Sequence, residues 1–153
     1  MGKKLVLVGG GHAHMITLAN LKSFVDKGHQ VTVIGPSDYH YYSGMGPGML
    51  GKTYSPYDIR FSTRYLVEKQ GAYFIRDKAD RIDPGTKTVF LETGPPVPYD
   101  VLSFNAGSHV PLDCVQETGD NIFSVKPIEG LMQAQDKLIQ LMSQKRISIS
   151  IVG

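Results

Sequence analysis

The sequence predicts an α/β fold in which a parallel sheet is accompanied by an antiparallel β-meander. A strand, a glycine-rich turn, a helix and a second strand follow one another at the start of the chain. Three strand-like runs, separated by Pro-Gly and Gly-Pro turns, then occupy residues 72–107. With 153 residues, 41% of them hydrophobic, the chain is long enough to bury the core that such a fold needs.

The first four elements form a predicted βαβ unit. The β-branched run KKLVLVG indicates a buried strand, and HQVTVIG indicates a second one. Between them, apolar residues recur mostly at helical spacing from His12 to Lys27, and Gly28 supplies a C-terminal stop.

The next segment, residues 36–57, predicts a long irregular loop, because PSDYHYYSGMGPGMLGKTYSPY contains five Tyr, four Gly and three Pro. A helix is predicted from Ile59 to Gln70. Its candidate N-caps are Ser55 and Asp58, and its terminator is Gly71.

The remaining elements are a meander, a helix and a final strand. The runs AYFIRDKADRID, KTVFLET and VPYDVLSFNAG predict an antiparallel meander that returns into a central strand. Apolar spacing predicts a helix from Ile128 to Gln144, and RISISIVG predicts a strand that runs into Gly153. We interpret that ending as a second strand and glycine turn that is cut off, so the chain is expected to be a fragment of a longer protein.

Composition excludes several classes of function. A net charge of +2 with both signs dispersed gives no argument for nucleic acid. No apolar run approaches the roughly 20 residues of a membrane span, and the four-residue run near the N-terminus is too short for a signal peptide. The single cysteine, Cys114, excludes an internal disulfide and is expected to be an inert loop thiol. These observations predict a soluble, cytoplasmic protein.

The turn after the first strand nearly completes a G-x-G-x-x-G fingerprint, but His14 replaces the third glycine. The first glycine permits a tight turn and the second lets the backbone approach a pyrophosphate. The predicted diphosphate cradle is Gly9, Gly10, Gly11, His12 and Ala13. His14 is expected to pack against a neighbouring strand, with a contact to the cofactor as the alternative. From the residues alone, a small-residue turn without a ligand remains an open alternative.

The end of the second strand lacks the acidic residue that usually binds a ribose hydroxyl, since Gly35 occupies the position. Ser37 and Asp38 are candidate replacements, and a simple Pro-Ser-Asp turn is an equal alternative. The sequence has no arginine at this position, so no residue that would bind the 2′-phosphate of NADP is predicted. No metal site and no catalytic acid–base pair are predicted either.

Three segments resemble the pyridine nucleotide–disulfide oxidoreductase superfamily, in the branch of type II NADH dehydrogenases and sulfide:quinone reductases. LVLVGGGHAH resembles its N-terminal FAD turn, and HYYSGMGPGMLGKTY resembles a Y-S-G-M-x-P-G loop that approaches the flavin. YDVLSFNAGS resembles the segment that closes the flavin domain, with Asn105 where the family has alanine. The resemblance implies a Rossmann-like FAD/NAD(P)-binding fold.

The resemblance also implies further cofactor contacts. Tyr42, Ser43 and Gly44 would contact the flavin, or alternatively the tyrosines seal a loop over the core. Lys52 would meet a phosphate or the reduced flavin, with simple solvent exposure as the alternative. The backbone of Ala79 would hold adenine, and the small residues that let the backbone approach the cofactor are Ala106 and Gly107.

The implied function is an FAD-dependent NAD(P)H oxidoreductase that passes electrons to an acceptor such as a quinone. Residues 1–110 would hold the N-terminal part of a discontinuous FAD-binding domain, residues 111–146 a connecting loop and helix, and residues 147–153 the first strand of a truncated NAD(P)-binding domain. The fragment alone is expected to be inactive, its catalytic residues are unassigned, and any membrane contact would come through missing C-terminal segments. The alternative is a non-catalytic nucleotide-binding or regulatory module with a degenerate flavin site.

Overall fold

The computed structural model describes residues 2–111 and 119–152. The strands are β1 (Lys4–Val8), β2 (Gln30–Gly35), β3 (Tyr39–Tyr41), β4 (Arg60–Ser62), β5 (Tyr73–Arg76), β6 (Ala79–Asp83), β7 (Thr88–Leu91), β8 (Val97–Pro98) and β9 (Val101–Phe104). The helices are α1 (Met15–Ala19), α2 (Lys22–Val25), α3 (Gly46–Leu50), α4 (Thr63–Glu68) and α5 (Ile128–Met142), with 3₁₀ turns at His12–His14 and Ser43–Met45.

The chain divides into two compact units. One comprises Met1–His40 and Phe61–Gly107, and the other comprises Tyr41–Arg60 and Ser108–Gly153. In the first unit, a four-stranded sheet has the order β5-β2-β1-β9, and all of its neighbouring strands are parallel. The predicted α/β fold with a parallel sheet is therefore confirmed.

Strand β1 is central in this sheet and is apolar on both faces. On one face, Leu7 packs with side chains of β2 and of the helices, chiefly Val31, Val33, Leu18, Leu21 and Val67. On the other face, Val6 and Val8 pack with Ile34 of β2 and with Val89 of β7. The first unit is consequently built in three layers, with helices α1, α2 and α4 on one side of the parallel sheet and the strands β6–β8 on the other.

The predicted meander is confirmed for β6, β7 and β8, which form an antiparallel sheet. The first of the predicted strand runs is divided, however: β5 joins the parallel sheet and β6 begins the meander. The turn between β6 and β7 is closed by Asp83, whose Oδ1 accepts hydrogen bonds from the N–H groups of Gly85 (2.9 Å) and Thr86 (3.2 Å).

The predicted continuous helix from His12 to Lys27 is interrupted. A 3₁₀ turn, α1 and α2 follow one another, with a break at Asn20. The Asn20 side chain donates to the carbonyl of Ile16 over 2.8 Å, and such local bonds compete with helix propagation. Gly28 ends the segment with a φ of +81°, as predicted.

The predicted helix from Ile59 to Gln70 is wrong at its N-terminus. Residues 60–62 form β4, which pairs with β3, and α4 begins only at Thr63. The N-cap is Ser62, whose hydroxyl accepts the Tyr65 N–H over 3.3 Å. The expected caps instead bond to each other, because the Asp58 carboxylate accepts from the hydroxyl and the N–H of Ser55.

The structure corrects the prediction of an irregular loop over residues 36–57. This stretch contains β3, a 3₁₀ turn and α3, and the side chain of Met49 is fully buried. Met49 and Ile59 form a core with Ile128 and Leu131 of α5. The predicted helix from Ile128 to Gln144 is confirmed by α5 to within two residues at its end.

The predicted last strand is not formed within the described part of the chain. Residues 147–152 have no regular secondary structure, and Ile151 and Val152 are 93% and 96% exposed. A β-branched run forms a strand only where a partner strand satisfies its backbone, and none of residues 2–111 and 119–152 pairs with it. No helix in the described ranges is long and apolar enough to span a bilayer. Cys114 lies outside the described residues.

Candidate functional site

The glycine turn lies at the carboxyl end of β1, next to the end of β9. The Gly9 N–H donates to the Ile34 carbonyl over 2.8 Å, and Gly9 has a φ of +88°. A Cβ at this position would collide with the carbonyl oxygen of Asn105. Both the positive φ and the close approach of the two backbones therefore require glycine here.

The other two glycines of the turn contact side chains from distant parts of the sequence. A methyl group on Gly10 would lie 3.2 Å from Cγ2 of Thr63, the buried first residue of α4. A methyl group on Gly11 would lie 2.5 Å from Nδ2 of Asn105. The turn is thus packed between the start of α4 and the segment that follows β9.

The backbone after the turn is suited to an anion. The first helical hydrogen bond runs from the His14 N–H to the Gly11 carbonyl, over 2.9 Å. The amides of Gly10, Gly11 and Ala13 precede that bond, at the start of the helix, where backbone N–H groups have no intrahelical acceptor. The side chains of His12 and Ala13 point away from the core and are exposed. These features fit a diphosphate, which needs several N–H donors and a close approach of the backbone.

His14 is buried, with only 3% of its surface exposed. Its Nδ1 lies 2.7 Å from the Gly9 carbonyl oxygen, and its Nε2 lies 2.9 Å from the Ser103 hydroxyl of β9. A carbonyl oxygen only accepts hydrogen bonds, so Nδ1 donates to Gly9, while Nε2 and the Ser103 hydroxyl form the second hydrogen bond of the ring. The expectation that His14 packs against a neighbouring strand is confirmed, and the ring links the turn to β9.

The end of β2 carries an ion pair that the sequence did not reveal. The Arg64 Nε donates to Oδ1 of Asp38 over 2.8 Å, and Arg64 Nη1 lies 3.3 Å from Glu68. The hydrogen bond to Asp38 raises the pKa of the Arg64 guanidinium above its usual value, against an opposing effect of burial. No arginine stands near this strand end in the sequence, but α4 brings Arg64 to Asp38 from later in the chain.

Ser37 takes part in a local turn. Its hydroxyl accepts a hydrogen bond from the Tyr39 N–H over 3.2 Å, and its side chain is exposed. This arrangement favours the turn alternative for Ser37. It leaves Asp38 as the acidic side chain at the end of β2.

The predicted adenine and closing residues occupy different parts of the first unit. Ala79 starts β6 opposite Leu91, and the register of the two strands shifts between Ala79 and Arg81. Ala106 and Gly107 follow Asn105 and are exposed, and Gly107 has a φ of +78°.

Four predicted flavin contacts belong to the second unit. Tyr42, Ser43 and Gly44 are exposed, and a methyl group on Gly44 would lie 2.9 Å from the Tyr42 ring. Lys52 is exposed and has a φ of +61°. The assignment of these four residues to a cofactor stays a prediction, as does that of the cradle, Ser37, Ala79, Ala106 and Gly107.

Sequence reasoning missed four side chains around the turn and the strand ends: Asn105, Thr63, Ser103 and Arg64. Only Asn105 carried a signal, since it stands where the resembled family has alanine. The others come from elements whose contact with the turn depends on the tertiary fold.

Comparison with known proteins places this geometry among oxidoreductases, although no family model matches the chain. It is 27% identical over 141 residues to a sulfide-quinone reductase of Aquifex aeolicus, and the match covers 92% of this chain and 32% of that protein. It is 26% identical over 106 residues to a type II NADH:quinone oxidoreductase of Staphylococcus saprophyticus, with 69% and 26% covered. The chain thus spans about a third of these relatives or less.

Comparison with solved structures also matches the chain to oxidoreductases. The crystal structure of the Aquifex aeolicus sulfide:quinone oxidoreductase superposes with a TM-score of 0.79 and 28% identity, covering 94% of this chain and 33% of that one. NDH2 of Plasmodium falciparum in complex with NADH shares the fold, with a TM-score of 0.70 and 17% identity over 94% of this chain and 30% of that one.

The parallel sheet, the meander packed against it and the glycine turn define a Rossmann-like dinucleotide-binding domain. Over most of its length the chain is similar to sulfide:quinone reductases and type II NADH:quinone oxidoreductases, in agreement with its resemblance to that branch of the pyridine nucleotide–disulfide oxidoreductase superfamily.

Proposed function

We propose that this chain is a flavin-binding portion of an FAD-dependent NAD(P)H oxidoreductase that delivers electrons to an acceptor such as a quinone. The observation that carries the proposal is the cradle at the end of β1. There Gly9 adopts a φ of +88° against the Asn105 backbone, and the amides that follow precede the first helical hydrogen bond. Bound FAD would supply the redox chemistry, taking up a hydride from the nicotinamide and passing electrons on.

The chain's own residues would bind and orient the cofactor. The amides from Gly10 to Ala13 would hold the diphosphate at the carboxyl edge of the sheet, where ligands of such folds bind. Asp38, held by Arg64, would accept a hydrogen bond from the adenosine ribose in place of the missing carboxylate at Gly35. We assign the flavin-side contacts to the segment that contains Tyr42, whose likeness to the family loop supports the assignment.

The acceptor is proposed from the relatives, two of which carry quinone in their names. Reduction of a quinone would bring the full-length protein to a membrane surface from the cytoplasmic side. Chemistry on sulfide would require a set of cysteines, and this chain contains only Cys114.

The proposal is tested by FAD binding to the purified chain, followed by calorimetry and flavin fluorescence. The test variant is Ala13→Asp, because it adds a carboxylate at an exposed position of the cradle. Repulsion of the diphosphate should weaken FAD binding by about tenfold or more. Ala19→Asp is the matched control, since it places the same charge at an exposed position at the end of α1.

Saturable binding of one FAD per chain, weakened by Ala13→Asp and unchanged by Ala19→Asp, would support the proposal. A folded chain that does not bind FAD, or that binds it equally well in both variants, would contradict it. Such a result would favour the non-catalytic module.

A further inference from the structure

Asn105 lies directly beside the glycine turn, where its backbone borders Gly9 and its side chain borders Gly11. Its N–H donates to the Val8 carbonyl over 2.8 Å, which extends the pairing of β9 with β1 by one residue. Its carbonyl oxygen is the group that excludes a side chain at Gly9. The backbone of Asn105 is thereby anchored beside the turn at the carboxyl edge of the parallel sheet.

The side chain of Asn105 lies over the second glycine. A methyl group on Gly11 would be 2.5 Å from Nδ2, 3.0 Å from Cγ and 3.2 Å from Oδ1, so the whole amide group borders the turn. In dinucleotide-binding turns this glycine is small so that a pyrophosphate can approach the backbone. In this protein the same space is shared with an amide that carries two N–H donors.

Among residues 2–111 and 119–152, the Asn105 side chain forms no hydrogen bond, although the residue is half-buried. The turn itself contains no lysine or arginine, because its residues from Gly9 to His14 are glycine, alanine and histidine. Apart from the exposed imidazole of His12, the turn itself offers a diphosphate only backbone N–H groups.

We propose that Asn105 is a diphosphate ligand, which donates its side-chain amide to the bound dinucleotide and supplements the backbone amides of the turn. This inference rests on the proposed function, since it concerns the same cofactor site. A neutral donor next to a dianionic group forms a charge-assisted hydrogen bond, which is stronger than a bond between neutral groups.

The test is the affinity of Asn105→Asp and Asn105→Ala for FAD, ADP and adenosine, measured by calorimetry and by NMR titration for the weak ligands. Asparagine and aspartate have the same shape, so Asn105→Asp keeps the packing against Gly11 while it replaces the donor with a negative charge. We expect FAD and ADP to bind about 10- to 100-fold more weakly to Asn105→Asp and several-fold more weakly to Asn105→Ala. Adenosine has no phosphate, and its affinity should not change.

Equal affinity of wild type and Asn105→Asp for ADP would overturn the inference. A loss of adenosine binding as large as the loss of ADP binding would also overturn it, because it would show a structural effect on the whole site. If the wild-type chain binds neither FAD nor ADP, the proposed function itself fails and this inference falls with it. The urea unfolding midpoint of each variant shows whether a loss of affinity comes from a loss of stability of the folded protein.

Discussion

The Lys52 N–H donates to the Met49 carbonyl over 2.9 Å, and this bond ends α3 with a lysine in the left-handed conformation, at a φ of +61°. A second bond runs from the Thr53 N–H to the Gly48 carbonyl over 2.8 Å. Together the two bonds form a Schellman motif, in which the left-handed position is usually glycine. Here the glycine, Gly51, precedes that position by one residue.

We predict that Lys52→Gly stabilises the protein by about 0.5–1 kcal/mol, because glycine adopts a positive φ without steric cost. The change in the free energy of unfolding is measured by urea denaturation. If Lys52 also contacts the cofactor, the same variant will bind FAD more weakly while it is more stable.

Lys87→Gly is the matched control, since Lys87 also has a positive φ, of +49°, in the turn between β6 and β7. We expect a similar gain in stability and no change in FAD affinity. Equal FAD affinity for both variants would remove Lys52 from the cofactor site.

We predict that His14→Gly, which restores the third glycine of the fingerprint, destabilises the protein by roughly 2–4 kcal/mol. The variant leaves a cavity at a buried site and removes the hydrogen bonds of the ring to Gly9 and Ser103. Ser103→Ala removes only one of these bonds and should cost roughly 0.5–1.5 kcal/mol. An unchanged unfolding midpoint for His14→Gly would show that the ring does not hold the turn.

The acid sensitivity of the fold should depend on Asp77. The Thr93 hydroxyl is the main cause that lowers the pKa of this carboxyl below its usual 3.8, and the N–H groups of Lys78 and Gly94 act in the same direction, against burial. Since the folded pKa is below the unfolded one, the contribution to stability is fully present above the unfolded pKa and is lost as the pH falls through the folded pKa.

Asp77→Asn should therefore lower stability at neutral pH, and its difference from wild type should shrink at pH values below 3.8. Urea unfolding at a series of pH values measures this difference. Asp80→Asn is the control, since the exposed Asp80 side chain has no hydrogen bond within the described ranges. A difference between wild type and Asp77→Asn that stays constant down to low pH would contradict the prediction.

We predict that the Asp38 carboxylate accepts hydrogen bonds from the ribose hydroxyls of the bound nucleotide. Wild type should bind ADP several-fold more tightly than 2′,3′-dideoxy-ADP, and Asp38→Asn, whose neutral amide oxygen is a weaker acceptor than a carboxylate, should reduce this preference. The stability cost should stay below about 1 kcal/mol, because the pair with Arg64 is partly exposed. Asp26→Asn breaks an exposed ion pair of the same 2.8 Å length, with Lys22, and should leave the preference for ADP intact.

Local sequence was sufficient to predict the elements whose signals lie within a few residues. The glycines at positions 28 and 71 end their helical segments with positive φ, as expected. The strand-like run KTVFLET between two turns predicted β7, and helical spacing predicted α5. In each case the residues that determine the element lie within it or a few residues beyond its end.

The failures have a common physical origin in long-range contacts. The segment from Arg60 to Ser62 has helical neighbours in sequence, yet it forms a strand because β3 supplies backbone partners. Likewise, no local pattern could show that α4 brings Arg64 to Asp38, because the two residues meet only once the sheet and its helices are assembled. The turn was predicted correctly as a motif, but the side chains that border it were not.

The dependence of Gly9 on Asn105 also bears on how the protein folds. The two residues are separated by nearly the whole first unit, and the pairing of β1 with β9 closes a long loop, which makes it a slow contact of high sequence separation. During synthesis on the ribosome, the βαβ unit emerges first, while its glycine turn still lacks the strand that borders it. We therefore expect dinucleotide binding to begin only after β9 has been synthesised. Dinucleotide binding to ribosome-arrested nascent chains of increasing length would show at which length the sheet is complete.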